Sequence, residues 1–141
     1  MKILFPVDGS DYSKYAIKYL LTHKEVFGEQ VSLTLLHVYP ALPGHITAHI
    51  DKEALASYHD EQVATATASA IKLLKGAKQD YKVVSKRGEP GEEIAKLAEK
   101  GKFDMVVMGS HGRGAFSGLF LGSVARKVLA ACKVPVLLVR E

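Results

Sequence analysis

The sequence predicts an α/β fold of the doubly wound kind, a parallel sheet with helices on both faces. Three observations lead there. Strand-like apolar runs alternate with helix-patterned segments along the whole chain, in the order β-α-β-α-β-α-β-α-β. The strand runs are nearly continuously apolar, the mark of strands buried on both faces. Two of the strand ends carry unusual glycine-containing turns, and in such sheets ligands bind outside the carboxyl ends of the strands.

The first strand is residues 2–7, KILFPV, closed by Asp8-Gly9-Ser10. Residues 11–27 place Ala16, Tyr19, Leu20 and Val26 at helical spacing, with Ser10 or Asp11 as N-cap and Gly28 as the stop. Residues 30–38, QVSLTLLHV, form the second strand. Residues 39–50 contain two prolines and a glycine and read as a loop, the best candidate for a mobile flap. Residues 51–75 are rich in Ala, Leu, Glu and Lys, and predict a long helix ended by Gly76, with its apolar side in the core.

The third strand is residues 81–86, YKVVSK, followed by a turn in which Pro90 stands near a helix start. Residues 92–100 are a short helix ended by Gly101, and residues 103–108, FDMVVM, the fourth strand. After the glycine-rich stretch 109–121 come a helix over 123–132 and a fifth strand over 134–140, VPVLLVR. Right-handed crossovers restrict the topology further. No internal repeat or linker divides residues 1–141, so one domain is expected.

Composition excludes several function classes. At 48% hydrophobic and 24% charged residues the chain is balanced like an ordinary globular protein, not a disordered one. No apolar run approaches the roughly 20 residues that cross a bilayer. The opening MKILFPVDGSD meets an acidic turn too early for a signal peptide. Cys132 is the single cysteine, so no internal disulfide forms, and a reducing cytoplasm is the expected location. The net charge of +4 suits an anionic ligand, but Lys and Arg are dispersed among acids, so no nucleic-acid surface is expected.

The chemistry concentrates at the ends of strands one and four. Strand one closes with Pro6-Val7-Asp8-Gly9-Ser10, and strand four with Met108-Gly109-Ser110-His111-Gly112-Arg113-Gly114, running on to Gly122-Ser123 at the start of the last helix. Glycines let backbone N–H groups approach an anion. A helix N-terminus with its unpaired amides favours negative charge. Ser123 adds a hydroxyl, Arg113 a planar cation, and Arg126 and Lys127 follow on the next helical turn. Asp8 is placed to meet a ribose hydroxyl or Mg²⁺. Each of these residues has a plain reading beside the functional one: a glycine as a turn, Asp8 as a helix cap, Arg113 as an exposed side chain. No Walker A loop is present, and no GxGxxG follows the first strand.

His45 and His49 stand four apart but lack the carboxylates of a metal site. His37 reads as structural, His111 as loop-shaping or as a phosphate neighbour, Cys132 as packing, and Asp104 as a capping or pairing residue. No Ser-His-Asp set can be assembled, so no catalytic residue is assigned.

The pattern Gly109-x2-Gly112-x9-Gly122-Ser123 resembles the ATP-binding signature of universal stress proteins, Gly-x2-Gly-x9-Gly-Ser/Thr. The opening ILFPVDGSDYS and the ending KVPVLLVR are similar to that family's first and last strands, so the resemblance covers essentially the whole chain. It implies a Rossmann-like five-stranded sheet in the order 3-2-1-4-5, with the ends of strands one and four adjacent. It implies ATP as ligand, with ADP or AMP as alternatives, and Mg²⁺ carried with it. Carried over by position, Pro6, Val7, Asp8 and Val38 line the adenosine side, and Met108 and Gly109 border the nucleoside. Gly112, Arg113, Gly122, Ser123 and Val124 hold the phosphates, and Asp8 is the metal-facing residue.

The resemblance also implies a homodimer through the last strand. Independently, an edge strand as apolar as Val134 to Arg140 calls for a partner. Three functions follow. One is an ATP-dependent stress-response regulator with an unidentified protein partner and at most slow hydrolysis. The others are an ATP-consuming enzyme and a dimeric adaptor that ignores nucleotide.

Overall fold

A computed structural model describes residues 1–112 and 120–141. In it five parallel strands form one sheet in the order β3-β2-β1-β4-β5. The strands are β1 (Lys2–Pro6), β2 (Ser32–Tyr39), β3 (Tyr81–Arg87), β4 (Met105–Gly109) and β5 (Val136–Val139). The α/β class and strand order are those expected.

Period-two alternation within apolar strands gives the sheet two cores. Ile3, Phe5 and Val7 turn to one face, where helices α1 (Asp11–Thr22) and α4 (Lys52–Gly76) supply Ala16, Ile17, Leu20, Ala70 and Leu74. Leu4 and Leu36 turn to the other, against Ile94 and Ala98 of α5 (Pro90–Lys100) and Ala125 and Val128 of α6 (Ser123–Ala131). Both layers pack their helices against β1 and β4, which lie inside the sheet. Among the described residues no helix is long and apolar enough to cross a membrane.

Several local expectations change. The helix expected over 11–27 is interrupted at His23, leaving α2 (Lys24–Phe27) as a separate turn. There the Thr22 hydroxyl donates to the Lys18 carbonyl, and both the His23 ring and the His23 amide donate to that of Tyr19, closing the last turn. The 39–50 segment contains one helical turn, α3 (Gly44–Thr47), beginning after Pro43. Gly76 is the last residue of α4 rather than its stop; the left-handed residue is Lys78, with φ of 54°. Only the second half of α4 is core, where Ala66, Thr67, Ala70 and Leu74 are buried.

β3 and β5 are the two borders of the sheet. They differ in character. β5 is an apolar VLLV, whereas β3 is mostly exposed and carries Lys82, Lys86 and Arg87. Asp104 pairs as expected, accepting the Lys2 amide at 2.6 Å and so fixing the start of β1 beside β4.

Candidate functional site

Between β1 and β4 the sheet reverses its winding, and a cleft of about 360 Å³ opens there. Its walls include Pro6, Val7, Asp8, Val38, Met108, Gly109, Gly112, Gly122, Ser123 and Val124. The structure thus brings together every site residue expected from sequence that falls among the described residues. Arg113 lies outside them.

The β1 end is shaped by side-chain hydrogen bonds. The strand stops at Pro6, and Gly9 takes φ of 80° to turn the chain into α1. Asp8 Oδ1 accepts the Ser10 amide and the Ser13 hydroxyl, each at 2.9 Å. The Ser10 side chain in turn caps α1 by accepting the Ser13 amide at 3.3 Å. The helix cap is therefore Ser10, and Asp8 is held beside it by two donors. His37 joins the neighbouring strand to this end, its Nδ1–H donating to the Val7 carbonyl at 2.9 Å.

The β4 end is shaped by closeness. A Cβ on Gly109 would lie 2.7 Å from Tyr12 Cβ, and one on Gly112 would lie 2.5 Å from Asp8 Oδ2. A Cβ on Gly122 would lie 3.1 Å from His111 Cα. The three glycines thus have a packing reason of their own, separate from any ligand. The neck of the loop is closed by the Gly122 amide on the Ser110 carbonyl at 2.9 Å. His111 lines the cleft with both ring nitrogens engaged: Nε2–H donates to the Phe120 carbonyl, and Nδ1 accepts from the Ser110 hydroxyl at 2.9 Å.

Helix N-termini distinguish the two sides further. α1, α4 and α5 are capped by the side chains of Ser10, Asp51 and Glu89. α6 follows Gly122 and has no side-chain cap among the described residues, and its first residues, Ser123, Val124 and Ala125, line the cleft. Among the described residues no side chain takes its first amides.

Above the cleft, α5 begins at Pro90 directly after Glu89. Glu89 Oε2 accepts the Glu92 amide at 2.8 Å, and Oε1 accepts Lys127 Nζ at 3.0 Å. The Glu92 amide first, and then the Lys127 ammonium, hold the Glu89 carboxyl below the usual range. Burial pushes the Cys132 thiol up, in keeping with a packing role. Among the described residues no group of three or more metal-ligating side chains forms, around His45 and His49 or elsewhere.

Ser13, Leu36, Pro90, Ile94 and Ala125 also line the cleft and were not singled out from sequence. The spacing Asp8-x-Ser10-x-x-Ser13 was the available signal for Ser13. Pro90 was visible as a helix start, but not as a neighbour of β1.

The universal stress protein family model matches residues 1–140, nearly the whole chain. This chain belongs to the universal stress protein family. A Thermus aquaticus universal stress protein, described by its position in the QAH/OAS sulfhydrylase 3′ region, is 35% identical over 138 residues, covering 98% of this chain and 97% of that one. The universal stress protein MJ0577 of Methanocaldococcus jannaschii is 30% identical over 158 residues, covering 99% of this chain and 94% of that one. A solved structure of MJ0577 matches with a TM-score of 0.78.

Three more distant structures share the universal stress protein fold and have nucleotides bound. One is described in complex with cAMP, an Arabidopsis thaliana member with AMP, and an Archaeoglobus fulgidus member with dAMP. They are 21%, 15% and 18% identical to this chain, with TM-scores of 0.70, 0.68 and 0.63. They cover 99%, 100% and 98% of this chain, and the matches span 96%, 92% and 96% of theirs.

Proposed function

We propose that this universal stress protein binds an adenine nucleotide in the β1–β4 cleft, and acts as a cytoplasmic stress-response regulator whose output depends on occupancy. ATP is the proposed occupant, with ADP or AMP as alternatives. The observation that carries the reading is the start of α6, which has no side-chain cap among the described residues and presents Ser123 and two following residues to the cleft, while α1, α4 and α5 are capped by side chains. The adenine nucleotides bound by distant relatives support the same ligand class.

The apolar wall of Val7, Val38 and Met108 suits the nucleoside, and Gly112, Gly122, Ser123 and Val124 suit the phosphates. Arg113 belongs to the phosphate side by the sequence motif. Mg²⁺ fits as a nucleotide-borne ion, since one carboxylate plus phosphate oxygens is an ordinary magnesium environment. Asp8 would be that carboxylate.

Fast hydrolysis does not follow. His111 has both ring nitrogens committed to Ser110 and Phe120, so it is not poised to take a proton from water. A turnover well below about 1 s⁻¹ is expected. The apolar border strand β5 supports a homodimer through Val134 to Arg140.

The test is mass spectrometry of nucleotide released from the purified protein, with calorimetric titration of ATP, ADP and AMP with and without Mg²⁺. Absence of binding at millimolar nucleotide defeats the proposal. Gly122→Glu is a poor probe, because its Cβ alone crowds His111 and Ser110. Ser123→Glu is better. An acidic residue in the first turn suits the helix dipole, so the fold persists while phosphate is repelled. Affinity for ATP should fall by about 100-fold, roughly 2.7 kcal/mol.

The packing of Gly109 and Gly122 against protein atoms favours a second reading, a dimeric adaptor that needs no nucleotide. An unaltered biological output in Ser123→Glu would select it.

A further inference from the structure

The geometry points to Lys127 as the residue that distinguishes a nucleoside triphosphate from a monophosphate in this cleft, by exchanging Glu89 for the terminal phosphate. The inference rests on the nucleotide reading above and concerns which nucleotide is preferred.

Lys127 sits one turn inside α6, four residues after Ser123, so the two share a helix face. A shallow recess along that face is lined by Ser123, Arg126, Lys127 and Ala130, and meets the main cleft at Ser123. The Lys127 side chain does not run outward from this face. Its stem lies against Gly91, where a Cβ would stand 2.5 Å from Lys127 Cβ and 3.3 Å from Cδ. It then reaches back to Glu89, the residue before Pro90, and Pro90 itself lines the cleft. The ammonium is therefore held at the start of α5, on the rim beside the cleft-lining Pro90.

Glu89 is the group that holds it there. Their contact of 3.0 Å is solvent-exposed, with side-chain exposures of 58% for Lys127 and 33% for Glu89. Exposed pairs of this kind are weak. A phosphate chain following α6 from Ser123 toward the recess brings denser negative charge to the same ammonium, and charge-assisted bonds to phosphate are the stronger kind. A monophosphate held at the α6 amides ends before the rim. Glu89 loses little when Lys127 leaves, because it keeps the Glu92 amide and continues to cap α5. Lys127 thus serves as a cation that a long phosphate tail recruits and a short one leaves in place.

The test is calorimetric titration of ATP and AMP against the full chain and three variants. Lys127→Ala keeps the Cβ that touches Gly91, so the packing stays. It should weaken ATP by about tenfold while moving AMP by less than about twofold. Lys127→Arg should restore ATP affinity. Glu89→Gln keeps an acceptor for the Glu92 amide and removes the competing charge. It should tighten ATP by about two- to threefold and leave AMP unchanged. A structural role for the pair would instead weaken both ligands in both single variants. Equal losses for ATP and AMP in Lys127→Ala, or weaker ATP binding in Glu89→Gln, overturn the inference while the nucleotide reading stands. An unsubstituted protein that binds neither nucleotide overturns both.

Discussion

The two strand ends that meet at the cleft are built by different means. After β1, side chains do the positioning: Asp8 accepts from Ser10 and Ser13, and His37 ties the neighbouring strand to Val7. After β4, missing side chains do it: Gly109 lets Tyr12 close in, Gly112 admits Asp8, and Gly122 folds onto His111. The first end is a set of replaceable hydrogen bonds, each contributing modestly. The second is a steric fit that one methyl disrupts. Substitutions should therefore fail differently, gradually at the β1 end and at Gly112, whose neighbour is a movable carboxylate, and abruptly at Gly109.

Gly109→Ala should show the largest effect on stability. Its Cβ meets Tyr12 Cβ at 2.7 Å and Tyr12 backbone at 2.9 Å, so α1 itself must shift away from β4. A loss of about 3 kcal/mol is expected, the upper part of the overpacking range, read from urea denaturation. A change within about 0.5 kcal/mol would erase the contrast.

Gly112→Ala meets only Asp8 Oδ2, the end of a side chain, so the chain stays folded and Asp8 rotates. Stability should fall by about 1 kcal/mol as the Asp8 bonds are lost, and nucleotide affinity by about tenfold, checked by calorimetry. Ser13→Ala removes the hydroxyl donor to Asp8 Oδ1 and should cost about 1 kcal/mol or less in the same denaturation measurement. If Ser13→Ala proved worse than Gly109→Ala, the roles assigned to the two ends would be reversed.

The smallest effect is electrostatic. The Glu89 carboxyl is held low in the folded protein, by the Glu92 amide foremost. Its contribution is fully present above the ordinary carboxylate value of 4.5 and is lost as pH falls through the lowered folded value. Glu89→Gln should therefore lower the thermal melt slightly at neutral pH, converge with the parent protein in acid, and so flatten the acid limb below about pH 4.5.

The fold was readable because its strands are apolar on both faces and its helices are separated by turn residues. Asp8-Gly9-Ser10 and Gly109 to Gly112 could be placed at strand ends without knowing the sheet order. The helix break at His23 was not readable, because the apolar spacing runs on through Val26 and Phe27 and no Gly or Pro marks the break. Pro90 and Ile94 were missed as cleft residues for a different reason. They follow β3, at the far border, and reach the site only because α5 crosses back over the sheet toward β4. The exposed first half of α4 was missed because its Ala- and Leu-containing sequence fits packing equally well.

The charge on β3 bears on how far copies of this chain can stack edge to edge. Lys82, Lys86 and Arg87 are spaced along an exposed border strand. Two such borders laid together would align cations at close range, which disfavours pairing. For the homodimer proposed through β5, this charge would disfavour a further β3–β3 joining, so that the paired sheet would end at its two outer borders. The molecule carries its own guard against becoming a ribbon.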